Sequence, residues 1–221
     1  MGEGARIRGP GMTTSDKFSL ARERMVAEQI SARGVTDARV LDAMRRVPRH
    51  EFVPEALRGE AYADHPLPIG GGQTISQPYI VAYMSAALAV PEGGRVLEIG
   101  AGSGYQTAVL CAMGMTVFSL EIVPELCDRA RGTLARLGVE ADVRCADGCG
   151  GLPEEAPFDG VLVAAAPAEI PRALVEQLAE GGRLVAPVGV GDQILRTAVK
   201  RGGALVVLDR LPVRFVPLVR G

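Results

Sequence analysis

Residues 95–104 decide the fold, and they read RVLEIGAGSG. The run RVLEI at residues 95–99 is short and largely apolar, which favours a β-strand. A glycine-rich stretch follows it, and residues 105–113 are predicted to form a helix. A strand, a glycine-rich turn and a helix in this order are typical of the edge of an open α/β sheet where ligands bind. The segment therefore predicts both a fold class and the position of a binding site.

Strands and helices keep alternating after this segment. Further strands are predicted at residues 116–120, 142–145, 158–164 and 182–187, and further helices at residues 124–137 and 171–179. This alternation predicts an α/β protein with a Rossmann-like, doubly wound and mostly parallel sheet. Near the C-terminus, residues 193–200 and 204–208 flank a Gly-Gly turn, which indicates an antiparallel hairpin. Residues 214–219 are predicted to form a last apolar strand.

The part of the chain before the sheet is predicted to be an N-terminal helical cap. Residues 18–33 and 37–46 carry apolar side chains at helical spacing, and Gly34 and Pro48 supply the signals that end the two helices. Residues 50–72 are rich in proline and glycine, so we expect irregular structure there with one helical turn.

Composition is that of a folded globular protein, with 48% hydrophobic and 23% charged residues. The formal net charge of −2 shows no basic surplus, so no nucleic-acid partner is expected. A local basic run, Arg45, Arg46 and Arg49, is expected to lie on a solvated helix face. Because no apolar run reaches the roughly 18 residues needed to span a bilayer, no membrane partner is expected either.

The cysteines carry no signature of a metal site. The four of them, Cys111, Cys127, Cys145 and Cys149, include no C-x-x-C pair, and the two histidines lie far away in sequence. Metal-ligand spacing is therefore absent, and no metal is expected. Since buried thiols are common in helices and strands, we expect reduced cysteines in a cytoplasmic protein.

The glycine turn differs from a dinucleotide fingerprint. That fingerprint, G-x-G-x-x-G, needs its third glycine where Tyr105 stands in this chain. The turn instead reads E-x-G-x-G-x-G and resembles motif I of the class I methyltransferases. The resemblance implies S-adenosyl-L-methionine as methyl donor and S-adenosyl-L-homocysteine as product. It also implies donor contacts from the turn itself, namely Glu98, Gly100, Ala101, Gly102, Ser103 and Gly104.

Two acidic residues at later strand ends agree with this interpretation. Glu121 ends the second predicted strand, where a carboxylate can accept hydrogen bonds from both ribose hydroxyls. Asp147 follows the third strand together with Gly148, where the family contacts the adenine amino group. Nicotinamide binding and a non-catalytic relic of the fold are the alternatives.

A longer resemblance concerns the acceptor. Five segments resemble the protein-L-isoaspartate O-methyltransferase family: residues 46–57 (RVPRHEFVPEAL), 67–84 (LPIGGGQTISQPYIVAYM), 96–108 (VLEIGAGSGYQTA), 147–171 (DGCGGLPEEAPFDGVLVAAAPAEIP) and 214–218 (RFVPL). The resemblance implies methyl transfer to the carboxylate of L-isoaspartyl residues in damaged proteins and peptides (EC 2.1.1.77), which starts repair through a succinimide. Isoaspartyl proteins and peptides are then the expected partners, and we expect a monomer.

The same resemblance implies roles for single residues. Ser76 corresponds to the active-site serine, and the substrate site is implied to include Thr74, Ile75, Gln77, Tyr79, Val216, Pro217 and Leu218. The acceptor carboxylate is ionised at neutral pH and needs no general base, so a Ser76 hydroxyl can orient it without acting as a nucleophile. A plain turn residue before Pro78 is the alternative for Ser76. Ala164 departs from the family, which often has threonine there, and this removes a hydroxyl.

We therefore predict a disordered lead at residues 1–16 and a single methyltransferase domain at residues 17–221. Within it, residues 17–93 hold the cap and the substrate segment Thr74-Ile75-Ser76, which we call the TIS segment. Residues 94–190 form the donor-binding core, and residues 191–221 the strands at the substrate rim. Two other functions stay open: an aspartate methyltransferase of a peptide-modification pathway, and a catalytically silent S-adenosylmethionine-binding module.

Overall fold

The computed structural model describes residues 14–219 of the chain. The predicted disordered lead lies outside this part, except that residues 14–16 already belong to the first helix. Among the described residues, no helix is both long and apolar enough to cross a bilayer.

An N-terminal cap of short helices precedes the sheet. The first predicted helix is present, but only its start, α1 (Thr14–Arg24), is an α-helix. It ends at Gly34, which has a φ of 92°. The second prediction is confirmed by α2 (Ala38–Arg46), whose first turn is capped by the carboxylate of Asp37. Shorter π or 3-10 turns are found at Met25–Ile30, Ser31–Arg33, Arg49–Phe52, Glu55–Glu60, Gly148–Gly150 and Pro153–Glu155.

Residues 50–72, which were predicted to be irregular with one helical turn, are more regular than predicted. Their 3-10 turns lead into an antiparallel hairpin, β1 (Leu67–Gly70) and β2 (Gln73–Ile75). An unpredicted helix, α3 (Pro78–Leu88), follows. It contacts α2, the helix Tyr105–Ala112 and the sheet, so apolar residues lie on nearly all of its sides. A helix without a polar face lacks the amphipathic period on which prediction depends.

Seven strands form the central sheet: β3 Arg95–Ile99, β4 Thr116–Glu121, β5 Asp142–Cys145, β6 Phe158–Val163, β7 Leu178–Val188, β8 Gln193–Arg201 and β9 Ala204–Val213. Their order in the sheet is β5-β4-β3-β6-β7-β8-β9. The first five in this order are parallel to one another, β8 is antiparallel to β7, and β8 and β9 form an antiparallel hairpin. The predicted Rossmann-like α/β fold with a C-terminal antiparallel hairpin is thereby confirmed.

Helices cover both faces of this sheet. The connecting helices are α4 (Tyr105–Ala112), α5 (Pro124–Arg136) and α6 (Arg172–Gln177). Alternate residues of a strand point to opposite faces. Val96 of β3 thus joins the apolar cluster under α2 to α5, while its neighbour Leu97 joins the cluster that holds α6. Since β4 and β6 lie on opposite sides of β3, the strand order reverses at β3, and a crevice opens at its carboxyl end.

The prediction of a last strand at residues 214–219 is wrong. This segment forms one isolated parallel bridge, between Pro217 and Ala166. The Ala166 backbone N–H donates to the Val216 carbonyl at 2.8 Å, and the Leu218 N–H donates to the Ala166 carbonyl at 2.8 Å. Its partner is therefore the loop after β6 rather than a strand, and Pro217 has no N–H to extend a ladder. The apolar residues that suggested a strand cross the carboxyl end of the sheet instead.

The expectation of reduced cysteines is also wrong for one pair. Cys127 and Cys145 form a disulfide with their Cα atoms 5.7 Å apart. The two lie 18 positions apart in sequence, but the first turn of α5 packs beside the last residue of β5, which brings them together. Cys111 and Cys149 are outside the disulfide. Spacing alone does not reveal a pair that meets only through a strand–helix connection.

Arg49 is a further correction, because it is not on a solvated face. Arg45 and Arg46 do lie on the surface of α2, where they pair with Glu23 and Asp42. The side chain of Arg49 is instead completely buried, with 0% exposure. It lies in a 3-10 turn after Pro48 that points inward under the sheet's crevice, so the helical face of α2 does not extend to it.

Candidate active site

The turn between β3 and α4 is built on backbone conformations that favour glycine. Gly100, Gly102 and Gly104 have φ values of 89°, 56° and 86°. The backbone N–H groups of Gly100 and Ala101 donate to the Leu120 carbonyl at 2.8 and 3.1 Å, which ties the turn to the neighbouring strand β4. Without Cβ atoms the turn leaves its backbone open to a ligand.

Glu121 fixes the same turn from the end of β4. One carboxylate oxygen, Oε2, accepts from the Gly102 N–H at 2.7 Å, and Oε1 accepts from the Val123 N–H at 3.0 Å. The residue is 5% exposed and contributes to the lining of the crevice. Because an ionised carboxylate has about four acceptor positions, two remain for a ligand.

Glu98 lies behind the turn. It is completely buried, and its Oε2 accepts from the Thr107 hydroxyl at 2.6 Å and the Ser119 hydroxyl at 2.5 Å. Its other oxygen, Oε1, is buried without a hydrogen-bond partner. Burial raises the pKa of the Glu98 carboxyl to about 7, while the two hydroxyl hydrogen bonds lower it. This carboxyl is thus placed to support the turn from below.

The loop after β5 holds the other predicted donor contacts. Asp147 caps the turn Gly148–Gly150, with its Oδ1 accepting from the Cys149 N–H at 2.8 Å. Gly148 lines the crevice, and a Cβ at this position would lie 2.4 Å from the Ile99 side chain. Any larger residue would therefore have to displace the end of β3.

Two adjoining hollows occupy the crevice. The first, which we call the inner cavity, is lined by the glycine turn, the end of β4, Gly148 and the hairpin segment around Ser76. The second, the outer groove, runs between the start of α3 and residues 211–217. Five residues line both hollows and so form a shared wall: Thr74, Ser76, Ala164, Val216 and Pro217.

The predicted site residues divide between these hollows. The inner cavity is lined by Gly100, Ala101, Gly102, Ser103, Glu121 and Gly148, together with Thr74, Ile75, Ser76, Val216, Pro217 and Leu218. Gln77 and Tyr79 line the outer groove. Glu98, Gly104 and Asp147 are not among the lining residues of the inner cavity, so direct contacts from them to a ligand stay predictions.

The TIS segment is held from outside by neighbouring elements. The Ser76 carbonyl accepts from Arg49 Nη2 at 2.8 Å, and the Gln77 side chain donates to the Asp64 carbonyl at 3.0 Å. The guanidinium of Arg33 lies 3.6 Å from the centre of the Tyr79 ring. The backbone of Ser76 is therefore fixed at its carbonyl, and the residue itself belongs to the shared wall.

Sequence reasoning missed several lining residues. The inner cavity also includes Gln73, Met84, Gln106, Ala165 and Val219, and the outer groove includes Arg33 and Arg214. Gln106 could have been found, because it occupies the first turn of the helix after the glycine turn. Met84 depends on α3, which was not predicted. Within residues 14–219, no group of three or more His, Cys, Asp or Glu side chains is arranged to hold a metal ion.

Comparison with known proteins agrees with this site. The family model "Protein-L-isoaspartate(D-aspartate) O-methyltransferase" matches residues 20–221. The chain belongs to this family. A protein-L-isoaspartate O-methyltransferase of Methylorubrum extorquens is 57% identical over 203 residues, which cover 91% of this chain and 89% of the relative.

Two solved structures extend the family likeness to the fold. A protein-L-isoaspartate O-methyltransferase superposes with a TM-score of 0.80 at 31% identity, over 89% of this chain and 65% of that longer one. A protein from Plasmodium falciparum assigned to the same activity, in complex with S-adenosyl-L-homocysteine, superposes with a TM-score of 0.77 at 28% identity. That match covers 90% of this chain and 99% of the other.

Proposed function

We propose that this chain transfers the methyl group of S-adenosyl-L-methionine to the carboxylate of L-isoaspartyl residues in damaged proteins and peptides, the reaction EC 2.1.1.77. The observation that carries the proposal is the shared wall between the inner cavity and the outer groove. A methyl donor in the inner cavity and an acceptor peptide in the outer groove can come into contact beside Ser76 and Pro217, which line both hollows. Family membership over residues 20–221 agrees with this assignment.

The residues of the inner cavity fit S-adenosyl-L-methionine. The turn Gly100–Gly104 offers open backbone, Glu121 retains acceptor positions for ribose hydroxyls, and Gly148 keeps the floor free of a side chain. We assign donor contacts to the turn, Glu121 and Gly148. Glu98 and Asp147 support these elements from behind, the first through hydroxyls near the turn and the second through its cap. When bound, the sulfonium supplies an electrophilic methyl group.

The outer groove suits an anionic acceptor. Its lining includes two cationic side chains, Arg214 and Arg33, and no Asp or Glu among the described residues. Arg33 is already paired with Asp64, which lies outside the lining, at 3.0 Å. The isoaspartyl carboxylate is already ionised at neutral pH, so the site needs no general base. The Ser76 hydroxyl donates a hydrogen bond to this carboxylate and aligns it. Alignment of the carboxylate, together with the exclusion of water by the apolar residues Ala164, Val216 and Pro217, lowers the activation free energy of the transfer by several kcal/mol.

The bond changes of the methyl transfer, and the repair steps that follow it, need no general base from the chain. A carboxylate oxygen forms a bond to the methyl carbon as the carbon–sulfur bond breaks, and a neutral thioether and a neutral ester result. The methyl ester has a better leaving group than the carboxylate. The next backbone nitrogen of the damaged peptide attacks the ester carbonyl, the acyl carbon–oxygen bond breaks, and the succinimide closes as methanol leaves with the nitrogen's proton. Hydrolysis of the succinimide returns part of the material to normal aspartate.

Two matched peptides test the proposal. Purified protein with labelled donor should methylate an isoaspartyl peptide and leave the aspartyl peptide nearly untouched. An aspartyl side chain places its carboxylate one methylene away from the aligned position, and such a misplacement costs on the order of a hundredfold in rate. Ser76→Ala should lower turnover and spare donor affinity measured by calorimetry. Equal methylation of both peptides would contradict the proposal, and donor binding without any turnover would indicate a silent binding module.

We further propose that the enzyme acts as a monomer in the cytoplasm. Support for a monomer comes from the two hollows, which are lined within a single chain. Light scattering at micromolar concentration tests the assembly state, and cell fractionation tests the compartment.

A further inference from the structure

Arg49 connects the N-terminal cap to the active-site serine. Its Nε donates to the Ala61 carbonyl at 2.7 Å, and its Nη2 donates to the Ser76 carbonyl at 2.8 Å. Its guanidinium carbon lies 4.9 Å from the ring centre of Tyr105, which lines the inner cavity. One buried side chain thus contacts the cap, the TIS segment and the wall of the donor site.

This arrangement is costly if its only purpose is packing. The side chain has 0% exposure, its hydrogen-bond partners are carbonyl oxygens rather than a carboxylate, and its Nη1 is buried without a partner. Moving a cation out of water costs several kcal/mol unless it is well paired. Burial lowers the pKa of Arg49 to about 10, so the group still carries its charge at neutral pH.

We propose that Arg49 is a positioning residue for methyl transfer, which sets the backbone of Ser76 so that its hydroxyl meets the acceptor carboxylate. This inference rests on the proposed function. A guanidinium presents several N–H donors in a rigid plane, so it can hold two carbonyls at a fixed separation. The Ser76 carbonyl then cannot rotate without breaking a charge-assisted hydrogen bond, and the Cα–Cβ bond that carries the hydroxyl keeps its direction.

The buried charge has a second consequence for the acceptor. The isoaspartyl carboxylate is anionic when it binds and loses its charge during transfer. A cation behind Ser76 therefore stabilises the bound acceptor more than the transition state, and it contributes to peptide affinity. Arg49 touches the donor site through Tyr105 and the backbone of Ser76 but does not itself line the inner cavity, so donor affinity should respond weakly.

Arg49→Lys tests the inference, because lysine keeps the charge but cannot span both carbonyls. With an isoaspartyl peptide, kcat should fall about tenfold to a hundredfold, the loss expected for one hydrogen bond to a charged group. The KM for the peptide should stay within about threefold, since charge is retained. The dissociation constant of S-adenosyl-L-homocysteine, measured by calorimetry, should also stay within about threefold. Arg46→Lys is the matched control, because Arg46 also donates to a carbonyl, that of Ala112, but on the surface.

Chemical rescue separates positioning from folding. Arg49→Ala should be less active than Arg49→Lys. Adding methylguanidinium to Arg49→Ala should restore part of its kcat, while its melting temperature should recover much less toward that of the wild-type protein. Unchanged kcat in Arg49→Lys would overturn the inference, and so would a parallel loss of donor affinity, stability and turnover without rescue. If the unmodified enzyme itself fails to methylate isoaspartyl peptides while binding the donor, the proposed function fails instead.

Discussion

Two carboxylates near the site, Glu121 and Glu98, differ in what they contact. One lines the inner cavity and the other is buried in the core. Glu121 accepts two backbone N–H bonds and still lines the inner cavity. Glu98, one strand away, is turned into the core and bonds only hydroxyls among the described contacts. Substituting each by glutamine should therefore give different phenotypes.

Glu121→Gln should weaken donor binding more than it slows catalysis. The amide keeps one acceptor oxygen but turns an NH2 group toward either the Gly102 or the Val123 N–H. The turn then loses one of its anchors, and the ribose hydroxyls of the donor lose a charged acceptor. A lost bond to a charged group costs about 1.5–3 kcal/mol, which corresponds to roughly a tenfold to hundredfold rise in the donor dissociation constant. Calorimetry gives this constant, and kcat at saturating donor should change little. An unchanged constant would remove Glu121 from the donor site.

Glu98→Gln should change how stability depends on pH. The folded protein holds the Glu98 proton up to about pH 7, whereas the unfolded chain releases it near pH 4.5. Unfolding therefore releases a proton between these pH values, and this group lowers the free energy of unfolding as pH rises through that window. The full difference is on the order of 3 kcal/mol.

Urea denaturation at pH 5 and pH 7.5 measures this effect. The wild-type protein should lose more stability between the two pH values than Glu98→Gln does, because other groups titrate alike in both. Identical pH dependence in the two proteins would show that Glu98 is ionised in the fold throughout.

At the level of elements, the sequence predicted those units whose ends carry strong signals. The strands β3 and β4 and the helices α4 and α5 could be predicted because each of them ends at, or is followed within two residues by, a glycine or an acidic residue. The helix α3 was missed, since burial on several sides removes the periodic contrast between its faces. The segment at residues 214–219 was wrongly predicted as a strand, because apolar residues that line a cavity look the same in sequence as those that fill a sheet.

The glycine turn gives a prediction at this scale. Gly102→Val should abolish donor binding, because valine rarely adopts a φ of 56° and its side chain would project toward Ile69, 3.5 Å from the new Cβ. Gly132→Val in the middle of α5 is the control, since a Cβ there meets nothing within 4 Å and no positive φ is required. The control should bind the donor normally by calorimetry. Equal binding by both variants would mean that the turn does not hold the donor.

At the level of the whole molecule, most of the site residues could be predicted and their arrangement could not. Motif resemblance supplied the residues around Ser76 and the turn. The shared wall arises from segments that are some 50 to 140 positions apart, such as Thr74, Ala164 and Pro217, and no local pattern reports that they meet. Arg49 was misjudged for the same reason, because its partners Ala61 and Ser76 become neighbours only on folding.

The disulfide can be tested on the whole protein. In the oxidised, denatured protein, a thiol reagent should label two of the four cysteines, and after reduction it should label all four. Replacing both Cys127 and Cys145 by alanine should lower the free energy of unfolding by about 3 kcal/mol, the loop-closure value for a cross-link of this span. Replacing Cys111 and Cys149 should leave the cross-link intact. Labelling of all four cysteines before reduction would contradict the pairing.

Under the proposed function, the wall between the inner cavity and the outer groove would couple the two ligands thermodynamically. Each of its five residues lines both hollows, so a change in one of them reshapes both compartments together. If the bound donor tightens the peptide by some factor, the bound peptide must tighten the donor by the same factor. Substitutions in Ala164 or Val216 should therefore appear as changes in cooperativity between the two ligands, and selection on this enzyme acts on the pair of affinities rather than on either one.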